Sequence, residues 1–212
     1  MAIAFPRDIL ADFPGWSTRF ELAYRQERSR TAGGKTFAKD LGSPIWHASY
    51  VTKIVRANTV DKWRAKLASM DGGIQSFLGV NLSRCYPIAY PRGSWPTGVA
   101  FDGMGGITGI DANRKVFSVQ GFPPGFKLSE GDMIQVGTTD LHWVEADAIA
   151  NVSGVFATLE VRPHLWPSVT PGTVVSVKRP HCIMSIDPDT ISTQTDLATG
   201  TGTIAFDAWE AR

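Results

Sequence analysis

Cysteine is scarce in this chain: Cys85 and Cys182 are the only two among 212 residues. That excludes the disulfide framework of a small secreted scaffold, and two buried free thiols fit the composition better than the single bridge they could form. Net charge is nearly absent as well, because 21 Lys and Arg face 20 Asp and Glu. A formal +1 gives no case for a nucleic-acid binder overall. No apolar run approaches the roughly 18 residues of a membrane span. Helical periodicity is rare, which excludes an all-helical fold. The start, MAIAFPRDIL, meets Pro6, Arg7 and Asp8 before an apolar signal core can form, so synthesis and folding in a cytoplasm are expected.

What is present points to β structure in a folded, water-soluble chain. Hydrophobic residues make up 43% and charged residues 19%, with a mean hydropathy of −0.07. The 21 glycines and 13 prolines punctuate short segments. From Trp16 to Glu27, Phe20, Leu22 and Tyr24 alternate with polar residues, the period-2 pattern of a strand with one buried face. A second strand is expected over Ile45 to Val55. Between them RSRTAGGKTFAKDLGS, Arg28 to Ser43, is too polar and glycine-containing to pack alone and reads as a long loop at a hairpin tip.

One helix is expected, with Thr59 as N-cap, Asp61 in the first turn, and Val60, Trp63, Leu67 and Met70 on one face before Gly72-Gly73. Ile74 to Val80 follows as a buried strand. YPIAYPRGSWPTG, with three prolines in thirteen residues, is a connector that no central strand could contain. Short β signals then recur over 98–110, 115–120, 133–137, 141–146, 157–162 and 173–178, the spacing of a small barrel or sandwich. After Arg179-Pro180, residues 182–186 and 203–209 are again strand-like, joined by a polar, Thr-rich connection, and this piece needs a sheet to join. The expected organisation is a domain from residues 1–84 and 180–212 with a β-barrel of residues 85–179 inserted into it.

Motifs with chemistry give little. AGGKT at 32–36 resembles the end of a phosphate-binding loop, but Ser29 stands where the first glycine is required, and the flanking strand and helix are missing. His47, His142, His164 and His181 are scattered, and His181, Cys182 and Cys85 offer at most three metal ligands with no recognisable spacing. Asp187 and Asp189 lack the rest of a calcium loop and suit a turn. No G-x-S-x-G elbow is present. Glu130, Asp132, Glu145, Asp147 and Glu160 could in principle supply a glycosidase carboxylate pair, but each sits beside a turn or on the polar side of a strand. No catalytic, metal or cofactor-binding residue is assigned.

Two features suit contact with other macromolecules. Residues 16–66 hold 11 Lys and Arg against 4 Asp and Glu, while the rest of the chain sums to −6, a polarity useful for stacking copies of one protein. Arg25, Arg28, Arg30, Lys35 and Lys39 in and beside the long loop are the candidate contacts. Of seven tryptophans, Trp63 belongs to the helix's core face, and Trp46, Trp143 and Trp209 lie in strand patterns where burial is the default. Trp16, Trp95 and Trp166 neighbour Pro or Gly in connectors and are the candidates for exposed contact.

Several phrases in order resemble the distal tail proteins and related tail-tip components of long-tailed bacteriophages and phage-like gene transfer particles. They are DGGIQSFL at 71–78, YPIAYP at 86–91, LSEGDMIQVG at 128–137, LHWVEADAIANVSGVFATLEVRPHL at 141–165, PGTVV at 171–175 and Arg179-Pro180. The resemblance implies an all-β fold with one short helix: a tail-tube-like β-sandwich made from both chain ends, and an inserted small barrel that can be OB-like. It implies a structural virion protein at the tail tip, without enzymatic activity or cofactor, that forms a homo-oligomeric ring, a hexamer or alternatively a trimer. The ring would join the tail tube protein to hub or fibre proteins. DNA would pass through without specific binding, since a cationic lumen would retain phosphate. Two rivals remain: a carbohydrate-binding module stacking glycan on Trp95, Trp166 or Trp143, and a tail-borne cell-wall hydrolase using barrel carboxylates.

Overall fold

The computed structural model describes residues 3–96 and 100–212, with the side chains of Trp16 and Ser17 outside that description. The N-terminal part contributes β1 (Gly15–Ala23), β2 (Gln26–Arg30), β3 (Thr36–Asp40), β4 (Ile45–Thr52), β5 (Val55–Arg56), the helix α1 (Ala57–Ala68) and β6 (Ser76–Val80). Eight further strands follow: β7 (Met104–Ile110), β8 (Val116–Gln120), β9 (Lys127–Leu128), β10 (Met133–Val136), β11 (Asp140–Val144), β12 (Ala148–Ile149), β13 (Val155–Arg162) and β14 (Val174–Ser176). The chain ends with β15 (His181–Ile186), β16 (Ser192–Asp196) and β17 (Thr201–Glu210). The protein is mostly β, with a closed barrel.

Both chain ends build one seven-stranded sheet in the order β1-β4-β17-β15-β6, with β16 and β5 paired to β17. Alternation drives it: Trp46, Ala48, Tyr50 and Thr52 of β4 point inward while His47, Ser49 and Val51 face out. The sheet curls until β4 and β6, three places apart, face each other, and Tyr50 Oη donates to the Val80 carbonyl at 3.0 Å. Helix α1 closes this core with Val60, Trp63 and Leu67. Its start differs from the sequence expectation: Arg56 occupies the N-cap position, no side chain caps the helix, and Thr59 and Asp61 lie inside it. The reason is pairing upstream, where Val55 and Arg56 bond to Gly202 and Thr201 of β17 and fix the entry three residues early. Asp61 pairs instead with Arg64 at 2.9 Å.

The six-stranded barrel runs β10-β11-β13-β8-β7-β14, closed by pairing of β14 with β10. Its interior is a second apolar cluster that includes Phe117, Val119, Phe126, Ile134, Phe156 and Val175. The start of the strand expected from Gly98 lies outside the described residues, and β7 begins at Met104. The Thr-rich connection contains the strand β16, whose polar residues are tolerated because it pairs on one side only.

Barrel and sheet meet at a bonded seam. Trp46 Nε1 donates to the Leu141 carbonyl at 2.9 Å, and the Trp46 and Trp143 rings meet edge to face at 4.8 Å. Met133 and Leu141 of the barrel belong to the sheet's apolar cluster. Arg212 bridges Glu210 at 2.9 Å and Asp140 at 3.3 Å. Glu210 also accepts from the Trp46 amide at 3.0 Å. Burial pushes the Glu210 carboxyl above its ordinary value, against the pull of that amide and of Arg212.

Candidate functional site

The largest departure from the sequence expectation is the stretch between β1 and β4. Arg28 to Ser43 is not a loop: β2 and β3 pair antiparallel through five register pairs, from Gln26 opposite Asp40 to Arg30 opposite Thr36. The hairpin closes at Thr31–Lys35, where the Thr31 amide donates to the Lys35 carbonyl at 2.9 Å and Gly34 adopts the left-handed conformation that the turn requires. AGGKT therefore makes a turn at the end of a ribbon. Every residue of β2 and β3 is exposed. The ribbon extends from the β1–β4 hairpin as an arm that buries none of its own side chains in the protomer. Isolated two-stranded ribbons are marginal in water, so an arm of this kind is suited to ordering against a partner.

The arm gathers the five basic candidates. Arg28 and Arg30 lie on β2, Lys39 on β3, Lys35 at the turn and Arg25 at the root, all exposed. Two carboxylates accompany them, Glu27 and Asp40. Among the described residues the ion pairs closest to the arm in sequence stop at Arg19–Glu21, at 2.7 Å, so none of the five cations is neutralised within the protomer. Three large apolar side chains share this exposure: Tyr24, Phe37 and Leu41. Tyr24 was expected on the buried face of the first strand, but β1 ends at Ala23, and the turn into the arm carries Tyr24 out.

The tryptophan candidates fare differently. The side chain of Trp16 lies outside the described residues. Trp95 is half-buried in an aromatic cluster over one end of the barrel, its ring 5.9 Å from Tyr86, 6.0 Å from Tyr90 and 5.4 Å from Phe101. Trp166 is also half-buried. The Arg212 guanidinium lies 3.7 Å from its ring centroid, and Arg114 donates to the carbonyls of Leu165, Trp166 and Val169. Trp209, expected in the core, is exposed: it lies on the outer face of β17, 39% accessible, against the ring of His47.

The outer sheet face brings His47, Ser49 and Asp207 together, a combination with nucleophilic associations. His47 Nε2 lies 3.9 Å from Asp207, and among the described residues no hydrogen bond joins Ser49 to the ring. Three of the five barrel carboxylates hold structural contacts. Asp132 is fully buried and accepts from the amides of Ile88 and Ser129, each at 2.7 Å, pinning the proline-rich connector to the barrel. Asp147 accepts from the Glu130 amide at 2.9 Å, and Glu160 pairs with Arg162 at 2.7 Å. Asp187 accepts from the Asp189 amide in a short turn. No group of three or more metal-ligating side chains occurs among the described residues. Cys85 and Cys182 are both free thiols, and burial pushes both up, Cys182 more strongly.

Neither protein-family models nor curated protein sequences give a match to this chain.

Proposed function

We propose that this chain is a structural protein of a phage tail tip, forming a homo-oligomeric ring that joins the tail tube to the hub or fibres and leaves a channel for DNA. In this reading the unit built from residues 1–84 and 180–212 forms the ring, and the barrel of residues 85–179 projects from it. The ring is a hexamer, or a trimer where it meets a threefold hub. The protein works by assembly in the virion and not by catalysis.

The observation that carries the reading is the arm of β2 and β3, wholly exposed in the protomer and bearing five cations against two carboxylates. A ring uses a heterologous interface, in which one surface of a subunit meets a different surface of the next. A basic projection on a body whose remaining charge is slightly negative supplies such a pair, and its attraction steers encounter. Replacing Arg25, Arg28, Arg30, Lys35 and Lys39 together with Ser tests it. The account expects loss of ring formation and of tail assembly with the fold retained, because none of the five packs into either core. Unchanged assembly of that variant would falsify the role given to the arm.

A further inference from the structure

The pairing register divides the arm into two unlike faces. Residues directly opposed in an antiparallel ribbon share a face, and successive residues alternate. Ser29 is opposite Phe37 and Glu27 is opposite Lys39. One step further, the Leu41 amide donates to the Arg25 carbonyl at 2.8 Å, so Leu41 and Arg25 continue the same face. Phe37, 58% exposed, and Leu41, 54% exposed, therefore lie on one face with Lys39 between them. The other face carries Arg28, Arg30, Ala38 and Asp40. Two large apolar side chains aligned on one side of a solvated ribbon form a contact face, and nothing in their own protomer covers them.

A matching groove lies at the opposite end of the same sheet. The arm leaves at Ala23 and re-enters at Ile45, where β4 begins; seven residues later β4 ends at Thr52, about 23 Å away at strand rise. There Ile54, 70% exposed, stands between two clefts of about 410 and 450 Å³. Thr52, Lys53 and Thr203 wall the first, and Thr195, Asp196 and Thr201 wall the second. Leu197, 96% exposed, follows Asp196 in the β16–β17 turn. The Asp196 carboxylate is fixed by the Ala198 amide and the Thr199 hydroxyl, each at 2.8 Å. Apolar side chains flanked by one carboxylate and one cation, Asp196 and Lys53, thus face outward at one end. At the other end an apolar face carries complementary charges, the cations Lys39 and Arg25 and the carboxylate Glu27.

We propose that the Phe37–Leu41 face of the arm docks into the Ile54–Asp196 groove of a second copy of this chain, beside the exposed Leu197 of the β16–β17 turn. No arm residue lines either cleft in its own protomer, and arm and groove sit at opposite ends of β4. The contact is therefore head to tail and leaves a free arm and a free groove at each end until the series closes. The proposal deepens the assembly reading above and rests on it.

The test is disulfide trapping in the full chain with Cys85→Ser, which leaves buried Cys182 as the only native thiol. Phe37→Cys combined with Leu197→Cys, mildly oxidised, is expected to give a ladder of three or more covalently linked copies on a non-reducing gel. Phe37→Cys with Val152→Cys, a position 91% exposed on the barrel, is the control and is expected to give no ladder. Light scattering of the same samples separates the two levels of failure. An oligomer in which the Leu197 pair gives no ladder, or the Val152 pair links equally well, overturns the docking and leaves the assembly reading standing. A chain that is monomeric at every concentration overturns both.

Discussion

On β11, Leu141, His142 and Val144 are all buried, because the strand lies between the barrel interior and the seam with the sheet. His142 Nδ1 lies 2.8 Å from the Pro163 carbonyl, so Nδ1 carries the proton and Nε2 is left buried without a partner. Burial lowers the imidazole to about 4, and the positive charge of Arg212 works in the same direction. A histidine depressed in the folded state contributes stability that is complete above its unfolded value of about 6.5 and is lost as pH falls toward about 4. The whole effect is of order 3 kcal/mol. Asp132 and Glu210, whose carboxyls burial raises, act in the opposite sense over the acid range. His142→Asn keeps a donor for Pro163 and removes the titration. Urea unfolding at pH 7 and pH 4.5 should therefore show a drop in the parent that exceeds the drop in the variant; equal drops would contradict the assignment. The sequence offered His142 only as a scattered histidine, since nothing local announces burial from both sides. Trp166, half-buried, was hard to place for a related reason. Its neighbour Pro167 suggests a surface connector, but Arg114, some fifty residues away in sequence, pins that connector by three carbonyls.

Elements with a clean period were legible. The strands near residues 45–52, 116–120, 133–136 and 181–186 lie where alternation or a short apolar run places them, and the buried face of α1 follows from Val60, Trp63 and Leu67. The arm was not legible as strand, because both of its faces are exposed and a clean period-2 pattern arises where one face is buried. β16 escaped for the same reason, with Thr and Ser at an edge. Glycines at turns carry the most local information, and two of them permit a paired test. Gly154 precedes β13 at φ +71°, and a Cβ there would lie 2.0 Å from the Phe122 carbonyl oxygen. Gly125 has nearly the same φ, +72°, with nothing within 4 Å. Gly125→Ala should lose about 1 kcal/mol from the left-handed backbone alone, whereas Gly154→Ala should lose about 3 kcal/mol, because the Phe122 amide's bond to Gly154 and the adjoining β8–β13 pairing must also shift. Chemical denaturation of the two variants checks the order, and similar losses would mean that the close approach at Phe122 is not held.

At the scale of the whole molecule, β1, β4, β5 and β6 share a sheet with β15, β16 and β17, while β7, β8, β10, β11, β13 and β14 close a barrel. The composition shift near Cys85 and the return to strand residues after Pro180 hinted at this arrangement. The seam was invisible in sequence, since Trp46, Leu141 and Arg212 meet only after both units form. Among the described residues the arm is the one long element without intramolecular burial, and its role depends on what it meets. The most direct measurement is the absolute mass of the purified chain by light scattering after size exclusion, with negative-stain images of the same peak. The account predicts an annular species of about 138 kDa for six copies of the 23.0 kDa chain, or about 69 kDa for three, that dissociates as salt is raised. A 23.0 kDa monomer at every concentration and salt would contradict it.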